Sequence, residues 1–206
     1  HQWNIYSSQN KMKLAILIPT TPDRQQLLTR LLDELNRQRS ECEHGAVRIL
    51  INETESAKNG GPTTGAKRNQ LIQQAVEEGA EYIAFFDSDD FPGPTYIKRG
   101  LEVVESWMDM GELWGEIYFS GKKGLPFHHY LGCTHAWQDD KQYHRPGNHL
   151  NFWKLDLIKD FKFQDKTFGE DMTWAMDIHN AGVTKSMYPI SEVLYSYFVG
   201  FPKHPL

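Results

Sequence analysis

Tyr82-Ile83-Ala84-Phe85-Phe86-Asp87-Ser88-Asp89-Asp90 is an apolar, aromatic run that ends abruptly in acid, and Pro92-Gly93-Pro94 then turns the chain away. Residues 82–86 read as a short buried strand. Three carboxylates at its end, Asp87, Asp89 and Asp90, repel one another unless something positive stands among them. A hard divalent cation, Mg²⁺ or Mn²⁺, does this through oxygen ligands and readily shares them with phosphates. The same residue types also build ordinary surface turns. The strand and its acidic tip leave both readings open, and the surrounding sequence weighs on the first.

Immediately upstream, residues 66–78 form a predicted helix that buries Leu71, Ile72, Ala75 and Val76, with Thr63 or Thr64 as its cap. Lys67 and Arg68 fall in its first turns, where positive side chains oppose the helix dipole. That placement makes sense beside an anion or a carboxylate; a solvated basic pair is the alternative. The preceding loop, ESAKNGGPTTG, contains neither GxxxxGK[ST] nor GxGxxG, so phosphate-loop and dinucleotide-binding readings lose support. Further back, residues 13–18 and 47–51 are apolar strands, the second stopping at Asn52-Glu53. Between them lies a helix striped by Leu27, Leu28, Leu31, Leu32 and Leu35, with Thr21 as its expected N-cap before Pro22. Strand, helix, strand at this spacing is a βαβ unit, and continuous apolar strands suit a parallel sheet covered on both faces.

Downstream, residues 95–108 read as an amphipathic helix with Ile97, Leu101, Val104 and Met108 inward, and residues 116–120 as a strand. Residues 121–149 change in composition, rich in His, Lys, Tyr, Trp and Gly, and read as an insertion of short strands or loops over one side of the site. A short helix follows residue 151. Gly169-Glu170-Asp171 opens another that Gly182 closes, and residues 183–188 and 193–199 are predicted strands. The expected organisation is an N-terminal extension (1–12), one α/β domain (13–199) and a C-terminal tail (200–206).

Bulk properties agree with a single globular unit: 206 residues, 39% hydrophobic, 13% aromatic and a net charge of −5. The acidic balance gives no global pull toward nucleic acid or anionic membrane, although Lys122, Lys123, Lys141 and Arg145 make a local basic cluster. No apolar run approaches a membrane span, and the first residues lack a signal-peptide core, so a cytoplasmic protein is expected. Cys42 and Cys133 read as reduced thiols and match no zinc-site spacing.

Three blocks in this order, AILIPTTPDR (15–24), GAKRNQLIQQAVEEGAEYIAFFDSDD (65–90) and FGEDMTWAMDI (168–178), resemble family 2 glycosyltransferases of the GT-A fold. The resemblance implies a Rossmann-type, mixed and mostly parallel sheet flanked by helices, binding a nucleotide sugar at the strand carboxyl ends. It also implies a metal-dependent, inverting hexosyl- or pentosyltransferase acting from a nucleoside-diphosphate sugar, a UDP-sugar, onto a hydroxyl acceptor. By the same resemblance Pro19, Thr20 and Arg24 line the nucleoside pocket, and Glu53 stands where the family often has an Asp that contacts the base. Arg68 sits near the diphosphate or braces the DxD loop. Asp87 and Ser88 approach the donor, Asp87 and Asp89 bind Mn²⁺ or Mg²⁺, and His149 or His204 completes the metal shell. Asp171 is the catalytic base with Glu170 beside it. The insertion is expected on the acceptor side, with Tyr130, Trp137 and Tyr143 available to stack on a sugar or base.

Two other readings remain open in the sequence. Aspartate-nucleophile phosphohydrolases also place DxD after an apolar strand, though usually the first strand and with Thr or Val where Phe91 stands here. A non-catalytic nucleotide-sugar-binding module is the other, although such a module needs no base. The acceptor stays open among glycan, lipid-linked sugar, protein hydroxyl and modified nucleic acid.

Overall fold

The computed structural model describes residues 12–200; the first eleven residues and the tail from 201, with His204, lie outside the described residues. β1 (Leu14–Thr20) is buried along its whole length. It is flanked in parallel by β2 (Val47–Glu53) and β3 (Tyr82–Phe85), in registers that pair Leu14 with both Val47 and Tyr82. Successive β1 residues pack to opposite sides. Leu14, Ile16 and Ile18 meet α1 (Gln25–Ser40) and α3 (Tyr96–Ser106), whereas Ala15 and Leu17 meet α2 (Thr64–Glu77) and α5 (Glu170–Ala181). Helices on both faces explain why the strand carries no polar alternation.

α1 starts later than expected. Pro22–Arg24 form a 3₁₀ turn, and the Thr21 hydroxyl bonds the Asp23 carboxylate at 2.5 Å instead of capping the backbone. Its buried stripe is Leu28, Leu31 and Leu35, extended by Gln38, whose amide accepts from the Ile97 N–H and donates to the Gly93 carbonyl. In α2 the expected cap holds, with Thr63 Oγ1 accepting from the Ala66 N–H at 3.1 Å. Val76, expected inside, is 44% exposed because it falls one residue past the inward face marked by Ala75.

The described residues build two mixed six-stranded sheets. The first is completed by β5 (Met110–Gly111), β10 (Trp153–Lys154, antiparallel to β3) and β11 (Met187–Tyr188). The second runs β4 (Phe91–Pro92), β12 (Val193–Val199), β6 (Leu113–Phe119), β7 (Lys122–His129), β9 (Tyr143–Arg145), β8 (Trp137–Gln138). Residues 121–149 thus supply three of its strands and are built into the fold. Their hairpin turns through Ser120 and Gly121, both at positive φ (45° and 82°), as a tight two-residue turn between twisted strands requires. The predicted strand at 183–188 shrinks to β11, and a short helix α4 (Leu155–Ile158) follows β10. Cys42 and Cys133 are free. Among the described residues no helix is long and apolar enough to cross a membrane.

Candidate active site

β1 and β3 are parallel neighbours, so their carboxyl ends open on the same side. There the Thr20 hydroxyl donates to Ser88 Oγ at 2.9 Å, tying the two strand exits together. Asp90 is the anchor of the acidic tip: its carboxylate accepts from the Tyr195 hydroxyl at 2.6 Å and from the Phe198 N–H at 2.9 Å, both on β12. Burial, with the like charges of Asp87 and Asp89, holds the Asp90 carboxyl well above its ordinary pKa. The tip is therefore fastened to both sheets.

α2 begins against the segment that leads into α5. Asn69 exchanges two hydrogen bonds with the backbone of Phe163, at 2.8 and 2.9 Å, and the Gly65 N–H donates to the Lys166 carbonyl at 3.1 Å. A β-carbon at Gly65 would lie 1.9 Å from the Gln164 carbonyl oxygen, so only glycine permits this approach. At Gly169, φ of 72° turns the chain into α5, which leaves Glu170 buried and Asp171 partly exposed.

Arg68 sits at the centre of these contacts. Its guanidinium donates to Glu170 Oε1 at 2.5 Å, to Asp87 Oδ1 at 3.0 Å and to His149 Nε2 at 3.0 Å. Burial alone would raise the Asp87 pKa, but the net shift is downward, with the charge of the Arg68 guanidinium the largest lowering influence. Glu170 moves the other way: burial raises it despite Arg68. Asp89 pairs with Arg24 at 3.0 Å, yet burial and the neighbouring Asp87 charge leave its pKa raised.

Two cavities meet at Asp87. The first, about 440 Å³, is walled by Pro19, Thr20, Arg24 and Lys67, with Lys58 and Phe168 toward its rim. Lys67 is almost fully buried, and its ammonium donates to the carbonyls of Thr20 and Thr54, each at 2.7 Å. Burial, aided by Arg24, draws its pKa down. The second cavity, about 580 Å³, has Asp171 and His149 on one wall and Ile117, Phe127, Met172 and Met176 on others. His129 lines it too. Asn151 Nδ2 donates to the Gly111 carbonyl, so Asn151 Oδ1 is the acceptor for His129 Nδ1, and burial pushes the imidazole down to about 3, leaving it neutral.

No family model matches the chain, and no curated protein matches it in sequence. Solved structures match it in shape. TarS from S. aureus superposes with a TM-score of 0.63 at 15% identity, over 91% of this chain and 37% of TarS. TarS 1–349 in complex with UDP-GlcNAc gives 0.61 at 17% identity, over 91% and 59%. A glycosyltransferase involved in the glycosylation of the major capsid of PBCV-1 gives 0.50 at 13%, over 90% and 93%. The chain has a GT-A-like glycosyltransferase fold. It spans less than two thirds of the length of either TarS structure.

Within this GT-A-like fold the residues expected at the site divide into three groups. Pro19, Thr20, Arg24 and Asp87 line the first cavity, and Ser88 lies just beneath it, fully buried. Arg68 braces the acidic tip, and Asp171 faces the second cavity while Glu170 is taken up by Arg68. Asp89 pairs with Arg24, and His149 lines the second cavity; Glu53 and the three aromatics are elsewhere. Glu53 is paired in register with Thr20 at the end of β2 but is exposed and does not line the cavity. Tyr130 stacks on His128, Trp137 stacks on His144 at 3.6 Å, and Tyr143 lies under the Arg145 guanidinium. None of the three lines the second cavity; His135, Ala136 and Arg145 of the same segment do.

The oxygen ligands at the strand end suit a hard cation, since Asp87 and Asp89 stand close enough to repel each other. His149 does not suit it, because a guanidinium only donates and the Nε2 lone pair is already spent on Arg68. Among the described residues no group of three or more His, Cys, Asp or Glu is arranged to hold a metal. A cation here would take its remaining ligands from a bound molecule and water. Lys67 was visible in the sequence only as half of a basic pair; its burial between two carbonyls depends on where β1 and β2 end. Tyr195 and Met172 gave no signal, as each belongs to an element placed by the second sheet or by the turn at Gly169.

Proposed function

We propose that the chain transfers a sugar from a nucleoside-diphosphate sugar, a UDP-sugar, to an acceptor hydroxyl, with inversion at the anomeric carbon. One observation carries this reading: a cation-walled cavity and a largely apolar one share Asp87, and the second presents a carboxylate, Asp171, that has no Arg or Lys ion pair among the described residues. The neighbouring TarS structure that holds UDP-GlcNAc supports the donor class. In this reading Arg24 and Lys67 offset the charge of the diphosphate, and the strand ends at Pro19 and Thr20 seat the nucleoside. Mn²⁺ or Mg²⁺ held by Asp89 and Asp87 would stabilise negative charge on the leaving diphosphate. Asp171 takes the proton of the acceptor hydroxyl as it attacks from the opposite face. It stands in the first turn of α5, whose N-terminus opens toward the second cavity at Gly169.

A phosphohydrolase would need Asp87 as a free nucleophile, and Arg68 holds that carboxylate in an ion pair with lowered basicity. Incubation of the chain with UDP-sugars and Mn²⁺, following released UDP and inorganic phosphate, separates the readings. UDP release is expected. Phosphate release would indicate the hydrolase, and donor binding without turnover a binding module. Asp89→Ala and EDTA should each abolish turnover while the fold persists, and full activity in chelator would remove the metal from the scheme.

A further inference from the structure

His149 lies next to the acidic tip with 5% of its side chain exposed. The groups around it come from four elements: Arg68 of α2, the Phe85 ring of β3 with Asp87 just after it, His129 of β7, and Glu170 and Asp171 of α5. With Arg68 Nη2 donating to Nε2 at 3.0 Å, the ring proton of the neutral imidazole belongs on Nδ1. That Nδ1 is buried and unpaired among the described residues, and it faces Asp171 Oδ2 at 3.7 Å. A buried N–H without a partner is costly, and folded proteins seldom leave one so.

We infer that His149 is a positioning residue for Asp171: its Nδ1–H closes onto Asp171 Oδ2 when the second cavity fills, which aims the other carboxylate oxygen at the acceptor hydroxyl. Closing the gap needs a shift of roughly 0.5–1 Å to reach hydrogen-bond distance. Asp171 stands in the first turn of α5 with its side chain 35% exposed, so a small side-chain rotation supplies it. Arg68 fixes the tautomer, His149 carries that choice across, and Asp171 accepts the proton. The inference rests on Asp171 being the base of the proposed transfer. The contrary role is a packing histidine that only braces Arg68 against Phe85.

Two substitutions separate these roles, because an Asn amide nitrogen falls near the Nδ1 position and a Gln amide near Nε2. His149→Asn keeps a donor toward Asp171, whereas His149→Gln keeps a partner for Arg68. His149→Gln should lower kcat by roughly tenfold to a hundredfold, the usual cost of a misaimed reacting group, with the KM for UDP-sugar unchanged. His149→Asn should lose several-fold less, and in an Asp171→Asn background His149→Gln should add no further loss. Equal losses in the two variants, or a greater loss in His149→Asn, would overturn the inference in favour of the brace. A second measurement needs no turnover. Long-range ¹H–¹⁵N spectra of the wild-type protein, recorded at a pH where the His149 ring is neutral, should show its single proton on Nδ1. A neutral ring with its proton on Nε2 would also overturn it. Absence of sugar transfer by the wild type would instead sink the proposed function and leave the tautomer result standing.

Discussion

The two cavities on either side of Asp87 are built from different materials. The first is made of strand ends, main-chain carbonyls and cations, and its position follows from the parallel register of β1, β2 and β3. The second is made of side chains from the second sheet and α5, mostly apolar, with Asp171 and two enclosed histidines among them. A cavity of fixed charges suits a ligand with a diphosphate, whose charge is the same whatever sugar it carries. A cavity of side chains can be rebuilt residue by residue, which suits the partner that varies. The boundary between them is held by one guanidinium, since Arg68 contacts Asp87 on the shared wall and Glu170 beneath Asp171.

Removing that guanidinium should therefore have the largest effect, and it should strike both cavities. Arg68→Met leaves the buried Glu170 and the half-buried Asp87 without their counter-charge, and breaking a buried pair such as Arg68–Glu170 costs about 3–5 kcal/mol. Denaturant unfolding should show that loss, together with weakened UDP binding. Arg68→Met with wild-type stability would mean that the two cavities do not depend on one brace.

Asp171→Asn should touch the second cavity alone. It keeps the shape of the side chain and removes its basicity, so turnover should fall by about a hundredfold or more. Affinity for the UDP-sugar, measured calorimetrically, should change little because Asp171 does not line the first cavity. Near-normal turnover in Asp171→Asn with an inactive Glu170→Gln would move the base to Glu170, against the ion pair that now occupies it.

The same division decides how much the sequence reveals. The first cavity sits on continuous apolar strands joined by amphipathic helices, whose patterns are local and whose ends mark the site directly. The patterns mark where those strands end, and the family resemblance puts Pro19, Thr20, Arg24 and Asp87 there; all four line the cavity. Arg68 could be placed only as near a diphosphate or bracing the tip, and the fold selects the brace. The second cavity depends on pairings between distant segments. β6 lies between β7, its hairpin partner, and β12, about eighty residues onward, and nothing in residues 113–119 alone shows which strand pairs along its second edge. Tyr130, Trp137 and Tyr143 were attractive as aromatics, but the pairing of β7, β8 and β9 turns them onto His128, His144 and Arg145. Glu53 stands at the right strand end, yet the loop after β2 lines the cavity in its place through Ser56, Ala57 and Lys58.

The smallest effect concerns the tether between the two halves, and it appears as a pH dependence. Glu192 immediately precedes β12 of the second sheet and accepts from Thr95 Oγ1 at 2.6 Å and Arg99 Nε at 3.0 Å, with a further ion pair to Arg99 Nη2, at the start of α3. Hydrogen bonds from Arg99, then from Thr95, pull its carboxyl down to about 2. A carboxylate whose pKa is lower in the folded state binds fewer protons there than in the unfolded chain between the two values. Its stabilisation is thus complete above the ordinary Glu range, near pH 4.3, and drains away as pH falls toward 2. The pair is open to solvent, so the effect is small and weakens with salt. Thermal melts of the wild type and Glu192→Gln isolate it. The wild type should be the more stable at pH 6 and low salt, and the difference should narrow as pH drops from 4.5 to 2.5 or as salt is added. A difference that is already absent at pH 6, or that stays constant down to pH 2.5, would show that this ion pair does not hold β12 against α3. The second cavity would then owe its place to Asp90 and its two bonds to β12.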